Sequence, residues 1–216
     1  MLHILDRWTD YLERGGQIYA VYTEFEKAFD KVPHRRLISK LYSYGISEIV
    51  INWIRDFLTA RKFRVKVNLS NSPWNLVTSG IPQGSVLGPI LFLLFINDLA
   101  ESCDARSEIY LFADDTKLFR HIKQDSDKQL LQNGIYDLHN WCNKWMLKLN
   151  TSKCKVISIG RNLDKSYTYD LTHNNYTISL ERVDQMRDLG VLIDERLAFS
   201  NHIHKIKLIK HMQCSG

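Results

Sequence analysis

Two adjacent aspartates, Asp114 and Asp115, stand between the strand-forming runs 109–112 (IYLF) and 116–119 (TKLF). Aromatic and β-branched residues favour extended backbone, so the pattern predicts a hairpin with Ala113-Asp114-Asp115 as its turn. Two readings of the aspartates are open. Asp is a common turn former, because its side chain hydrogen-bonds nearby backbone. Neighbouring carboxylates also repel one another unless a proton or a cation sits between them, which points to a metal site.

The flanking segments supply helices and further strands. Residues 2–14 carry Leu2, Leu5, Trp8 and Leu12 at helical spacing, ended by Gly15-Gly16. The stretch 18–25 (IYAVYTEF) has strand composition. Pro33 starts a helix over 34–45, and Ser47 is placed to cap a helix beginning at Glu48. The alternation of 62–70 (KFRVKVNLS) predicts a half-buried strand that turns at Asn71-Ser72-Pro73 and returns as a hairpin. The glycine- and proline-punctuated 79–89 leads into one apolar helix, and 126–149 reads as a long amphipathic helix with Leu130, Leu131, Leu138, Trp141, Trp145 and Leu149 on its apolar face. Strand candidates follow at KVISIG, YTYDL, YTISL and LGVLI. Helices mixed with hairpins indicate an α+β fold rather than a regular βαβ series.

Composition limits the function classes. With 216 residues, 44% of them hydrophobic, the chain suits one large domain or one and a half small ones and can fill a core. A net charge of +5 permits a polyanionic partner without demanding one. Cys103, Cys142, Cys154 and Cys214 form no CxxC pair and read as reduced thiols of an intracellular protein, in cytoplasm or nucleus. The longest apolar run, 90–96, is far short of the ~18 residues of a membrane span, and the charged N-terminus lacks the core of a signal peptide.

A second acidic group lies upstream, with Glu24 in VYTEF and Asp30 in KAFD. Glu24 ends a predicted strand. If that strand neighbours the hairpin, Glu24 and Asp114 can share divalent cations, and two metals clamped by carboxylates are a known device for in-line phosphoryl transfer. Mg²⁺ suits such a site because it binds a few carboxylates and completes its shell with water and phosphate.

The segments EFEKAFDKVPH, SGIPQGSVLGPILFLLFINDL, YLFADDTKLF, WCNKWMLKLNTSKC and RDLGVLID occur in the order seen in reverse transcriptases of non-LTR retrotransposons, nearest to the jockey-like group. The resemblance runs from about residue 5 to 210. It implies a right-hand polymerase palm with an antiparallel sheet packed on helices, 1–160 being palm with part of the fingers and 161–216 palm and primer-grip hairpins. The fingers would be largely missing and the thumb absent. It further implies RNA-directed DNA synthesis: addition of dNTPs to a DNA primer 3′-hydroxyl on an RNA template, with two Mg²⁺ ions as cofactor, Mn²⁺ being the alternative.

On matching positions, Asp114 resembles a metal ligand and Asp115 its acidic neighbour, with Phe112 and Ala113 completing the hairpin beside the nucleotide. Glu24 takes the place of the first metal-binding aspartate, and Phe29 that of the aromatic gate against ribose. Pro82, Gln83 and Gly84 resemble the segment lining the nascent base pair and template. Lys153 resembles the lysine that protonates the leaving pyrophosphate, and Leu189-Gly190 the primer grip. Arg35, Arg36, Arg61, Lys62, Arg64 and Lys66 are candidate phosphate contacts. Glutamate at position 24 departs from the family pattern, so impaired chemistry is expected, and a decayed or repurposed nucleic-acid-binding remnant is the alternative reading.

Overall fold

The computed structural model describes residues 2–103, 107–173 and 176–206. Its organising element is strand β1, Gln17–Glu24, in which the seven residues before Glu24 are all buried. Burial on both faces explains a run too apolar for simple alternation. β6 (Glu108–Phe112) and β7 (Asp115–Ile122) form the expected hairpin, and β7 pairs antiparallel with β1. β8 (Lys155–Ile159) pairs antiparallel on the other side of β1. The sheet is not wholly antiparallel as expected, because Glu181–Val183, strand β11, runs parallel to β8 at the edge; the order is β11-β8-β1-β7-β6.

Strand parity divides the core in two. Tyr19, Val21, Leu118 and Val156 face the helices α2 (Ala28–Lys31), α3 (His34–Ser43), α4 (Glu48–Leu58), α5 (Leu87–Ile96), α6 (Leu99–Cys103) and α7 (Asp125–Trp145). Ile18, Ala20, Tyr22, Phe119, Ile157 and Ile159 face the opposite way. They pack on α1 (Leu2–Glu13) and on Ile193, which belongs to the hairpin β12–β13 (Gln185–Asp188 and Val191–Asp194). β9 (Asp170–His173) and β10 (Tyr176–Ser179) form a separate hairpin.

Several expectations need correction. In α1 the buried residues are Ile4 and Trp8, whereas Leu2 is exposed, so the buried stripe is rotated toward Ile4. Ser47 precedes α4 in an extended conformation, but its side chain makes no capping bond. The apolar run after 86 is two helices, α5 and α6. The long helix ends at Trp145, because Met146 turns to a positive φ of 60° and releases Leu149 to pair with Phe25. The segment 62–70 is not one half-buried strand. It is β2 (Lys62–Phe63) and β3 (Lys66–Val67), which turn at Asn68-Leu69 and return as β4 (Ser70–Asn71) and β5 (Asn75–Leu76), with both faces in solvent. Cys103, Cys142 and Cys154 are buried free thiols; Cys214, and all of 207–216 in the expected C-terminal segment, lie outside the described residues. Among the described residues no helix is long and apolar enough to cross a membrane.

The helical face contains a buried cation. Lys40 Nζ donates to the Asp98 carboxylate and the Phe95 carbonyl, and lies 3.8 Å from the centre of the Trp145 ring and 4.8 Å from that of Trp141. Trp141 Nε1 donates to the same carboxylate at 2.9 Å. Burial pushes the Lys40 ammonium down to about 8, against the pull of Asp98. An unfolded lysine keeps its proton to about pH 10.4, so unfolding takes up a proton between these values and this group's contribution to stability rises with pH across that window. Lys40→Met is expected to remove the rise, worth about 3 kcal/mol over the full window. The check is the difference between urea melts of the two proteins, because the buried thiols of Cys103 and Cys154, pushed up by burial, act in the opposite sense above the ordinary thiol range.

Candidate active site

The β1–β7 register decides what the double aspartate faces. Glu24 pairs with Asp115, and Phe112 also pairs with Asp115, which leaves Ala113-Asp114 as a two-residue turn. Ala113 holds a φ of +52°, a conformation that strains a non-glycine residue. Asp115 is therefore the first residue of a strand rather than part of the turn, and it is Asp115, not Asp114, that stands beside Glu24. Both lie on the sheet face that carries α1 and the β12–β13 hairpin.

That face encloses a cavity of about 150 Å³ at the strand ends. Glu24, Phe112, Asp115, Lys153 and Leu189 line it together with Lys117, Met186 and Asp188. Although Asp115 is exposed overall, partial burial of its carboxyl, followed by the charges of Asp114, Glu24 and Asp188, raises it above the ordinary carboxylate range, opposed by Lys117. Lys153 Nζ donates to Glu24 Oε1 at 2.5 Å. That hydrogen bond, with the charge of Glu24, raises the lysine above its usual value, so it is an ammonium at neutral pH. The oxygen-only donors Glu24, Asp114 and Asp115 suit a hard divalent cation, and the like-charge crowding at Asp115 is what such a cation relieves. Among the described residues, however, no three His, Cys, Asp or Glu side chains form a ready-made cage.

The other expected nucleotide-side residues form a separate group. Phe29 is partly buried and stacks on Phe92 with centroids 4.5 Å apart. The Phe29–Val32 backbone holds the segment before Gln83: Ile81 N donates to Phe29 O at 2.7 Å and Gly80 N to Val32 O at 2.8 Å. Gly80 has a φ of +87°, and a Cβ there would fall 2.5 Å from the Asp30 carbonyl oxygen, so only glycine fits. Gln83 Nε2 donates to Asp30 Oδ1 at 3.0 Å, which ties PQG to KAFD. Gly84 is fixed by its φ of +79°, while the space around it is open. Leu189 and Gly190 both have positive φ and close the β12–β13 turn between Asp188 and Val191.

Sequence reasoning missed a buried group one row below the carboxylates. The Lys117 ammonium pairs with the Asp188 carboxylate, and Tyr22 Oη donates to the same Oδ2 at 3.1 Å. Burial and then Asp188 hold the Tyr22 hydroxyl well above the usual tyrosine range, so it remains a donor. Period 2 gave the available signal, since Tyr22 and Lys117 each lie two residues from a carboxylate on the same strand face.

Residues 5–193 match the family model described as reverse transcriptase (RNA-dependent DNA polymerase). The probable RNA-directed DNA polymerase from transposon BS of Drosophila melanogaster is 31% identical over 197 residues, covering 85% of this chain and 21% of that protein. The RNA-directed DNA polymerase from mobile element jockey of Drosophila funebris is 28% identical over 205 residues, covering 91% and 22%. The chain thus spans about a fifth of the length of these curated relatives. Among solved structures, apo telomerase from Candida Tropicalis superimposes with a TM-score of 0.60 at 11% identity, covering 91% of this chain and 35% of that one. This superposition and the chain's mixed helix and strand content fit a polymerase palm. The chain belongs to the reverse transcriptase family, and its relatives are non-LTR retrotransposon polymerases of the jockey-like and neighbouring groups.

Proposed function

We propose that this chain is the palm-centred part of an RNA-directed DNA polymerase, with 1–160 as palm with part of the fingers and 161–216 as palm and primer-grip hairpins. The observation that carries the reading is the register that sets Glu24 beside Asp115 at the mouth of a cavity also lined by Lys153 and Leu189. The primer 3′-hydroxyl gives its proton to solvent, its oxygen attacks the α-phosphorus of a dNTP, the bond to the β,γ-pyrophosphate breaks, and the Lys153 ammonium gives the leaving oxygen a proton. Divalent cations, generally used by this family, would be held by Glu24, Asp114 and Asp115 and would supply charge neutralisation at the reacting phosphate. Phe29, Gln83 and Gly84 would border the nucleotide and template, and Leu189-Gly190 the primer.

A specific contact favours a second reading, a nucleic-acid-binding remnant without polymerase activity. Lys153 already occupies an oxygen of Glu24, and that contact competes with a metal for the carboxylate. Primer extension on an RNA template separates the two. Asp114→Asn and Asp115→Asn are each expected to lower the rate by at least ~10²-fold. Extension that survives both substitutions would refute the site, and salt-sensitive primer–template binding with no extension in any protein supports the remnant.

A further inference from the structure

The hairpin formed by β2–β5 does not behave as a core element. Phe63, Val65, Val67, Leu69, Trp74 and Leu76 are all 50% or more exposed, and Leu69 reaches 96%. An isolated two-stranded hairpin is marginal in water, and so much contiguous apolar surface marks a binding surface. Its charge has one sign. Between Asp56 and Asp98 the sequence contains no acidic residue, while Arg61, Lys62, Arg64 and Lys66 fall within six positions. Among the described residues none of these four makes an ion pair.

Lys62 pairs with Leu76 and Lys66 with Asn71, and Arg64 lies between these two short strand pairs. Trp74 lies beside Arg64, with the guanidinium 4.7 Å from its ring centre and more than half of the tryptophan in solvent. An uncovered aromatic plane flanked by unpaired cations is complementary to a polyanion with exposed rings. A duplex hides its bases, whereas a single strand presents both phosphates and π-faces. We infer that the 62–76 hairpin binds an unpaired nucleic-acid strand, stacking a base on the Arg64–Trp74 platform and neutralising phosphates with Lys62, Lys66 and Arg61. To identify the strand as the template entering beside Gln83 rests on the polymerase reading above; single-strand binding does not.

Fluorescence anisotropy of the full chain with a single-stranded RNA of about 20 nucleotides, and with a blunt duplex of that length, tests the inference. Trp74→Ala is expected to weaken single-strand binding by about 10-fold, the loss of one stacked base, with duplex affinity changed less than ~2-fold. Trp74→Phe should restore most of it. Neutralising Arg61, Lys62 and Lys66 to Gln should flatten the salt dependence of single-strand binding by about 2 in log–log slope. Folding is controlled by melting, which these solvent-exposed substitutions should leave unmoved. Unchanged single-strand affinity in Trp74→Ala overturns the inference, as does an equal loss toward duplex. Loss of self-association without loss of RNA binding also overturns it, in favour of a protein interface. Asp115→Asn distinguishes the two proposals, because it should lower extension by at least ~10²-fold and leave single-strand binding intact; a chain that never extends but binds single strands through Trp74 refutes the polymerase reading alone.

Discussion

Glu24→Asp is expected to raise primer extension about 10²-fold over the unaltered chain. The Glu24 backbone is fixed at the end of a fully paired strand, against Asp115 on one side, while its carbonyl accepts from Asn150 N at 2.8 Å. Only the side chain is free to adjust, and its extra methylene carries the carboxylate outward to Lys153. Shortening it by one carbon draws the negative charge back toward Asp115 and out of the lysine's reach. Both consequences favour chemistry. The acidic pair closes, and Lys153 loses the hydrogen bond that raises its affinity for its proton, which makes it a better acid. A displacement of about 1 Å at a reacting centre costs on the order of 10²-fold, and the substitution reverses a displacement of that size. Single-turnover extension of a labelled primer is the measurement. A folded Glu24→Asp protein that extends no faster than the unaltered chain would show that the methylene does not limit the rate.

The elements dominated by local chemistry were legible in the sequence, and those set by long-range packing were not. The β6–β7 hairpin, β1 and α7 each carry a strong periodic or turn signal, and each is present within a few residues of its expected bounds. The 62–70 alternation points to a half-buried strand wrongly, because period 2 reports two distinct faces but not whether either has a partner; here neither does. The apolar run after 86 shows no break and so predicts one continuous helix, whereas the division falls at Asn97-Asp98, where Asp98 leaves the helix pattern to meet Lys40 and Trp141. Within the site, the carboxylates stood out because unpaired like charges are chemically conspicuous. The Lys117–Asp188 pair did not, since its members lie 71 residues apart and each looks like an ordinary surface charge until the sheet and the hairpin close over them.

Asp188→Ala is expected to destabilise the protein by about 3–5 kcal/mol. Asp188 and Lys117 are each about 7% exposed, so neither charge has water to fall back on. Removing the carboxylate strands the Lys117 ammonium and also deprives the Tyr22 hydroxyl of its acceptor. Deleting both charges is a different matter. Desolvating the pair consumes much of its attraction, so Lys117→Met combined with Asp188→Leu should restore stability to within about 1–3 kcal/mol of the unaltered chain, the remaining cost being the Tyr22 hydroxyl left without its acceptor. Urea melts of the two singles and the double give the coupling energy directly. The same three proteins separate packing from positioning. Asp188 immediately precedes the Leu189-Gly190 turn, and Lys117 lies two residues from Asp115. If the pair only fills space, the double variant recovers extension along with stability. If it seats the turn against the carboxylates, the double variant is stable and still extends primers poorly, with a raised KM for primer–template and an unchanged KM for dNTP. The second result is expected, because an apolar pair supplies no direction to the contact, whereas a carboxylate held by both Lys117 and Tyr22 fixes where β12 ends.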